Sequence, residues 1–185
     1  MNIPKNFQIC YPHEMIQKRV KELGAEVSDW SAKIWQDSHT DVVAVPILRG
    51  GLFFFADLVR AVTTSIEIAP VKAWAYASGE NNKQLDKVAV DVSVIPAKGR
   101  RVLLVDDICD TGRTLEELHK QLLAAGALEV RSTVLIKRQQ PHPTFAPNWA
   151  AFNYSGPEWF VGYGMDDSER WRNLSGVYII KQNQG

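Results

Sequence analysis

What the chain has little of narrows it first. It carries two cysteines in 185 residues, Cys10 and Cys109, too few for a disulfide framework, and both read as free thiols in a reducing compartment. Lys plus Arg and Asp plus Glu each number 21, so there is no basic excess of the kind that marks nucleic acid as a partner. The local cluster Lys98, Arg100 and Arg101 reads as a solvated turn before a strand. No apolar run approaches the length of a membrane span, and the N-terminal stretch lacks the apolar core of a secretory signal, so a cytoplasmic protein without a membrane partner is expected. Internal repeats and low-complexity tracts are absent too. What remains, 45% hydrophobic and 23% charged, is ordinary globular composition, long enough to build a full core.

One pattern occurs twice. Val42 to Leu48 is an all-apolar run that Arg49-Gly50-Gly51 breaks before the helical run Leu52 to Val62. Val102 to Val105 is a second apolar run, leading through acids and a glycine to the helical run Leu115 to Ala125. A strand, a tight turn and a helix, repeated, predict an α/β fold with a parallel sheet and crossover helices. His13 to about Trp35 has apolar residues at Ile16, Val20, Leu23, Val27 and Trp30, a helical spacing that Gly24 weakens. Ile66 to Tyr76, Val88 to Ile95 and Val130 to Ile136 read as strands, the second half exposed near an edge. The polar stretch 77–87 is a solvent-exposed loop or a lid. Short strand-like runs at Ala150 to Tyr154, Trp159 to Tyr163 and Val177 to Ile180 predict an irregular hood. One domain is expected, with a core of about 36–140 and a hood of about 141–185 plus the N-terminal segment.

The chemistry concentrates in Val102-Leu-Leu-Val-Asp-Asp-Ile-Cys-Asp-Thr-Gly-Arg-Thr114. Asp106 and Asp107 fall at the carboxyl end of a buried strand, where open α/β sheets bind ligands. Thr111-Gly112-Arg113-Thr114 supplies hydroxyls, a permissive backbone and unpaired amides at a helix mouth, which suit a phosphate monoester. The acids have the wrong sign for bare phosphate. They suit vicinal ribose hydroxyls, or a divalent cation that offsets the phosphate charge. A capping box of Thr114 with Glu117 is the alternative, and it leaves Asp106, Asp107 and Asp110 without a task. Cys109 has no neighbouring His and reads as a packing residue.

The string Val105 to Thr114 resembles the phosphoribosyl pyrophosphate signature of type I phosphoribosyltransferases. Ile47-Leu-Arg-Gly-Gly51 followed by Phe54 to Leu58 resembles the pyrophosphate loop and helix of the hypoxanthine-guanine branch, and Trp159 to Asp166 with Arg170-Trp-Arg172 resembles its purine-binding hood. The resemblance implies a twisted, mainly parallel sheet flanked by helices with a small hood. It also implies a purine salvage enzyme that transfers the phosphoribosyl group of phosphoribosyl pyrophosphate to hypoxanthine or guanine, giving IMP or GMP and pyrophosphate.

The same resemblance sets Asp106, Asp107, Ile108, Cys109, Asp110, Thr111, Gly112, Arg113 and Thr114 around the ribose and 5-phosphate, with Asp110 taking the proton from purine N7. Arg49 and Gly50, through the amides of a tight turn, and Arg172 would bind pyrophosphate. Lys137 would aim its ammonium at the exocyclic O6, which selects an oxo over an amino group because an ammonium has no lone pair. Trp159 would stack on the purine, and main-chain groups of Phe160 and Asp166 would read its edge. Taken singly, Lys137 is a surface lysine, Trp159 a core aromatic and Arg172 an ion-pair partner. Mg2+ is implied, with Asp106 and Asp107 as contacts and Asp166 as a second one, drawing charge from pyrophosphate as the ribose carbon gains oxocarbenium character. Water traps such a cation, which favours the lid reading of 77–87, with Tyr76 at its base. The apolar helix 52–62 and the resemblance together imply a homodimer or homotetramer.

Three positions depart from the branch's commonest pattern: Arg49 where lysine is usual, Asp106 where glutamate is usual, and Trp159 where phenylalanine or tyrosine is usual. Arginine and a double aspartate also occur in xanthine-guanine enzymes, which keeps xanthine as an alternative base. A nucleotide-sensing RNA-binding regulator is the alternative from another class; it predicts a basic face, and this chain is neutral.

Overall fold

The computed structural model describes residues 2–76 and 87–181. In chain order the elements are β1 (Phe7–Tyr11), α1 (His13–Ser38), β2 (Val42–Leu48), α2 (Leu52–Ala61), β3 (Ile66–Ile68), β4 (Val71–Tyr76) and β5 (Lys87–Val90). They continue with β6 (Arg101–Cys109), α3 (Arg113–Ala124), β7 (Glu129–Arg138), β8 (Trp149–Tyr154), β9 (Phe160–Val161) and β10 (Val177–Ile180).

The two apolar runs become neighbouring parallel strands at the centre of the large sheet, Val43 opposite Val102 and Pro46 opposite Val105. Strand order is β5-β4-β2-β6-β7-β8, with β3 also paired to β2. Every pairing is parallel except β4 with β5. The α/β expectation with crossover helices therefore holds. A separate antiparallel sheet, β1-β10-β9, joins the N-terminal segment to the hood. The hood was expected to begin near 141, but Trp149–Tyr154 pairs in register with β7 and extends the large sheet.

Both faces of that sheet are covered. Leu103 and Val105 pack with α1 and α2, while Val102 and Leu104 pack with Leu115, Leu118 and Leu122 of α3. Full burial of one such leucine stabilises by about 1.5–3 kcal/mol. Helix α1 runs unbroken through Gly24, because that residue lies where α1 crosses α2. A Cβ built there would stand 2.6 Å from the Cβ of Ala61.

Other boundaries moved for local reasons. The expected strand 66–76 is two strands, with Pro70 between them supplying no amide to a ladder. The expected strand 88–95 is only Lys87–Val90, since Asp91 folds its carboxylate onto the amide and hydroxyl of Ser93 and turns the chain. Strand β6 continues through both acids to Cys109. The capping box of Thr114 and Glu117 does not form. Helix α3 starts from Gly112 in the left-handed region (φ 89°) without a side-chain cap, and Glu117 instead accepts from Gln121.

Gly24→Ala should lower stability by about 1–3 kcal/mol, because overpacking of the crossing outweighs the ~1 kcal/mol gain in helix propensity. Chemical denaturation of Gly24→Ala and of the double variant with Ala61→Gly tests this. Most of the loss should return in the double variant; a stabilised single variant would place the crossing elsewhere.

Candidate active site

Strand β6 and the loop that follows it deliver three carboxylates, Asp106 and Asp107 within the strand and Asp110 just after it. Asp106 is buried, and burial, followed by the neighbouring charge of Asp107, pushes its carboxyl well above the usual range. Asp107 lies at the rim and is also raised by burial, an effect that the Ile108 amide and the charge of Arg172 oppose. Backbone amides meet both groups: Asp107 N–H donates to Asp106 Oδ1 at 3.0 Å, and Ile108 N–H donates to Asp107 Oδ1 at 2.8 Å. Gly50 presses its backbone against the Asp107 carboxylate so closely that any Cβ would collide with it. The peptide bond from Leu48 to Arg49 is cis.

Beyond β6 the chain forms a loop before α3. A concavity of about 260 Å³ is lined by residues 106–115. Gly112 combines its positive φ with a close approach to the Phe145 carbonyl, so a side chain fits neither its conformation nor its space. Thr111 O accepts from the Thr144 amide at 2.8 Å, which ties the loop to the segment after β7. Because α3 has no side-chain cap, its first-turn amides suit an anion. Arg113, on the same turn, opens the helix. Cys109 is buried, its thiol pushed up to about 11 by burial and then by the charge of Asp106, with the Lys137 charge acting the other way. That is an inert thiol.

Next to this loop is a larger cavity of about 430 Å³. It brings together Arg49, Gly50, Asp107, Ile108, Asp110, Trp159, Phe160, Asp166 and Arg172 from the expected set, and adds Leu48, Arg138 and Met165. Trp159 is 64% exposed, so the core-tryptophan alternative fails. Its indole N–H donates to Asp166 O at 2.8 Å, which holds the ring edge and leaves a face to the cavity. Asp166 pairs through its carboxylate with Arg172 at 2.7 Å and accepts from the Glu169 amide. Arg172 also donates to Gly164 O, at 2.7 Å. Glu169, which no sequence motif marks, accepts two hydrogen bonds from Arg49 at 2.5 and 2.7 Å and one from Arg172 at 3.3 Å.

Lys137 is half-buried at the end of β7, opposite Cys109 in register. It is not among the residues lining the larger cavity; its neighbour Arg138 is. Tyr76 ends β4, and 77–86 of the expected lid lies outside the described residues. Among the described residues no cluster of three or more His, Cys, Asp or Glu is placed to hold a metal unaided. Nor is any helix long and apolar enough to cross a membrane.

Comparison with known proteins decides the family. Residues 17–168 match the model of the phosphoribosyl transferase domain. The chain is 32% identical to the hypoxanthine-guanine phosphoribosyltransferase of Aquifex aeolicus, over 96% of each chain. It belongs to the hypoxanthine-guanine branch of the phosphoribosyltransferases. A second relative, the hypoxanthine phosphoribosyltransferase of Haemophilus influenzae, is 34% identical over 90% of this chain and 89% of its own. The crystal structure of a hypoxanthine phosphoribosyltransferase from Staphylococcus aureus superposes with a TM-score of 0.81 at 24% identity, covering 94% and 91% of the two chains. The family membership makes this chain a transferase and sets aside the xanthine-guanine and regulator alternatives.

Buried acids with raised pKa values set the sign of a stability effect. A carboxyl whose folded-state pKa exceeds its unfolded value favours the fold at low pH, and that contribution is lost as pH rises through the folded value. Asp106→Asn should therefore raise the ligand-free Tm at pH 8 by about 3–8 °C, for a gain of ~1–2 kcal/mol, and change it little at pH 4. A thermal scan showing equal shifts at both pH values would contradict the assignment.

Proposed function

We propose that the protein transfers the phosphoribosyl group of phosphoribosyl pyrophosphate to a 6-oxopurine, hypoxanthine or guanine, giving IMP or GMP and pyrophosphate. The observation that carries this reading is the meeting of three features in one cavity: an acid at 110, an aromatic face at 159, and the arginine pair 49 and 172 beside the Gly50 turn. The phosphate loop adjoins it through Asp107, Ile108 and Asp110, which line both concavities.

Roles follow from chemistry. The loop 110–114 receives the 5-phosphate at the mouth of α3, where the first-turn amides and the helix dipole favour an anion. Asp106 and Asp107 accept from the ribose hydroxyls. Gly50 amide, Arg49 and Arg172 hold the leaving pyrophosphate. Trp159 offers its free face to the purine, so that the ring lies near Asp110, which accepts the N7 proton as the purine nitrogen attacks the ribose carbon. An ordinary aspartate is a weak base, near ~3.9 in model peptides. Proximity and exclusion of water supply the rest. Lys137 selects the 6-oxo group from the end of β7.

The adjacent carboxylates of Asp106 and Asp107 fit Mg2+, which takes one or two carboxylates and completes its shell with substrate phosphates and water. Asp106 and Asp107 would hold it, with Asp166 as a further contact once its pairing with Arg172 loosens; when bound, it supplies charge neutralisation of the pyrophosphate. The stretch 77–87 with Tyr76 is the proposed lid. A cytoplasmic homodimer or homotetramer completes the reading: Leu52 and Phe53 of α2 are 47% and 39% exposed, and so form apolar surface open to a second copy.

Steady-state rates with hypoxanthine, guanine, xanthine and adenine against phosphoribosyl pyrophosphate and Mg2+ test the reaction. Pyrophosphate release with the first two and little with adenine is expected; release with none would refute it. Asp110→Asn should lower kcat by roughly 10²- to 10⁴-fold, as for loss of a general base. Lys137→Ala should narrow the preference for hypoxanthine over adenine by about 1–3 kcal/mol, and an unchanged preference would remove Lys137 from the purine site.

A further inference from the structure

Arg138, the last residue of β7, is the most heavily engaged cation in the cavity. Its side chain is only 10% exposed, against 55% for its partner Asp110. Nε donates to Asp110 Oδ1 at 2.5 Å, Nη1 donates to Gly156 O, and Nη2 donates to Glu158 O at 3.1 Å. The guanidinium plane lies 4.9 Å from the ring centre of Phe160. One rigid fork thus spends a donor on the acid that follows β6 and two on the turn that delivers Trp159. A planar guanidinium can do this in three directions at once, whereas an ammonium offers its donors from a single point.

We infer that Arg138 is the positioning residue of the purine slot. It acts through Asp110 and through the 156–158 turn rather than by touching the reacting atoms. With Oδ1 committed to the guanidinium, Oδ2 is the carboxylate oxygen left for the purine, so the ion pair selects the orientation in which Asp110 meets its substrate. The two carbonyl contacts fix the turn before Trp159, and hence the separation between the acid on one side of the slot and the aromatic face on the other. The inference rests on Asp110 being the base and on the purine lying against Trp159.

A double-mutant cycle on the full-length protein tests it. Arg138→Met should lower kcat/KM for hypoxanthine by about 10- to 100-fold, the scale of a lost charge-assisted hydrogen bond. KM for phosphoribosyl pyrophosphate should stay within about twofold, because that ligand is held by the 106–114 loop. Combined with Asp110→Asn, the arginine change should add little further loss in kcat. Arg138→Lys, which keeps a charge beside Asp110 but not the fork, should recover part of kcat while KM for the purine stays raised, and it serves in the same cycle if the methionine variant does not fold. Additive losses, or parallel losses in both substrates' KM values, would overturn the inference. Near-normal turnover in Asp110→Asn alone would instead strike the base assignment, and the inference with it.

Discussion

The carboxylates of Asp106 and Asp107 leave bulk water where β6 ends, and the surrounding backbone is arranged around that cost. Burial raises both groups, and removing an ion from water without full compensation costs several kcal/mol. Amides of Asp107 and Ile108 compensate in part. The turn at Gly50 reaches the Asp107 carboxylate only because it carries no side chain, and Gly164 in the hood approaches the Gly50 carbonyl just as closely. Three backbone segments therefore converge here, the end of β6 and the turn after β2 on the acid itself and the hood on that turn. In the proposed function a site assembled this way is under-neutralised until a cation or the hydroxyls of a sugar arrive, so ligand binding and local stability are opposed at Asp106.

That convergence also shows how far a sequence can be read. The apolar runs 42–48 and 102–105 announce buried parallel strands because both faces of the sheet are covered, and a strand covered on both faces has no polar alternation to blur it. The glycines after them mark the turns. What a one-dimensional pattern does not carry is side-chain direction at the end of a strand. Lys137 and Arg138 are consecutive cations, yet Arg138 lines the larger cavity and Lys137 does not. Glu169 was equally hidden. Its position between Asp166 and Arg172 looks like solvated surface until the left-handed backbone at Ser168, Glu169 and Trp171 folds the segment back on itself. The capping box failed for a related reason: Thr114 and Glu117 have the spacing, but the helix is entered at Gly112, two residues too early for Thr114 to cap it.

Two kinds of ion pair border the cavity, and their magnitudes differ. Arg49 and Glu169 are 59% and 64% exposed, and an exposed pair is worth about 0–1 kcal/mol. Such a pair holds the Arg49 guanidinium beside the cavity while remaining easy to exchange for a ligand that brings more charge. Arg172 is intermediate, sharing Asp166 and Glu169 and anchored to Gly164 O. Arg138 is the opposite case, being buried, bonded through every guanidinium nitrogen and stacked on Phe160. Breaking its contacts would leave a largely desolvated cation short of acceptors, whereas Asp110, 55% exposed, would keep access to water. The gradient runs from the exposed Arg49–Glu169 pair to the largely buried Arg138; in the proposed function the first faces a pyrophosphate that comes and goes, and the second holds the acid still. For the proposed transfer, with its departing anion, exchangeable cations for the anion and a fixed cation for the acid are what one cavity has to combine.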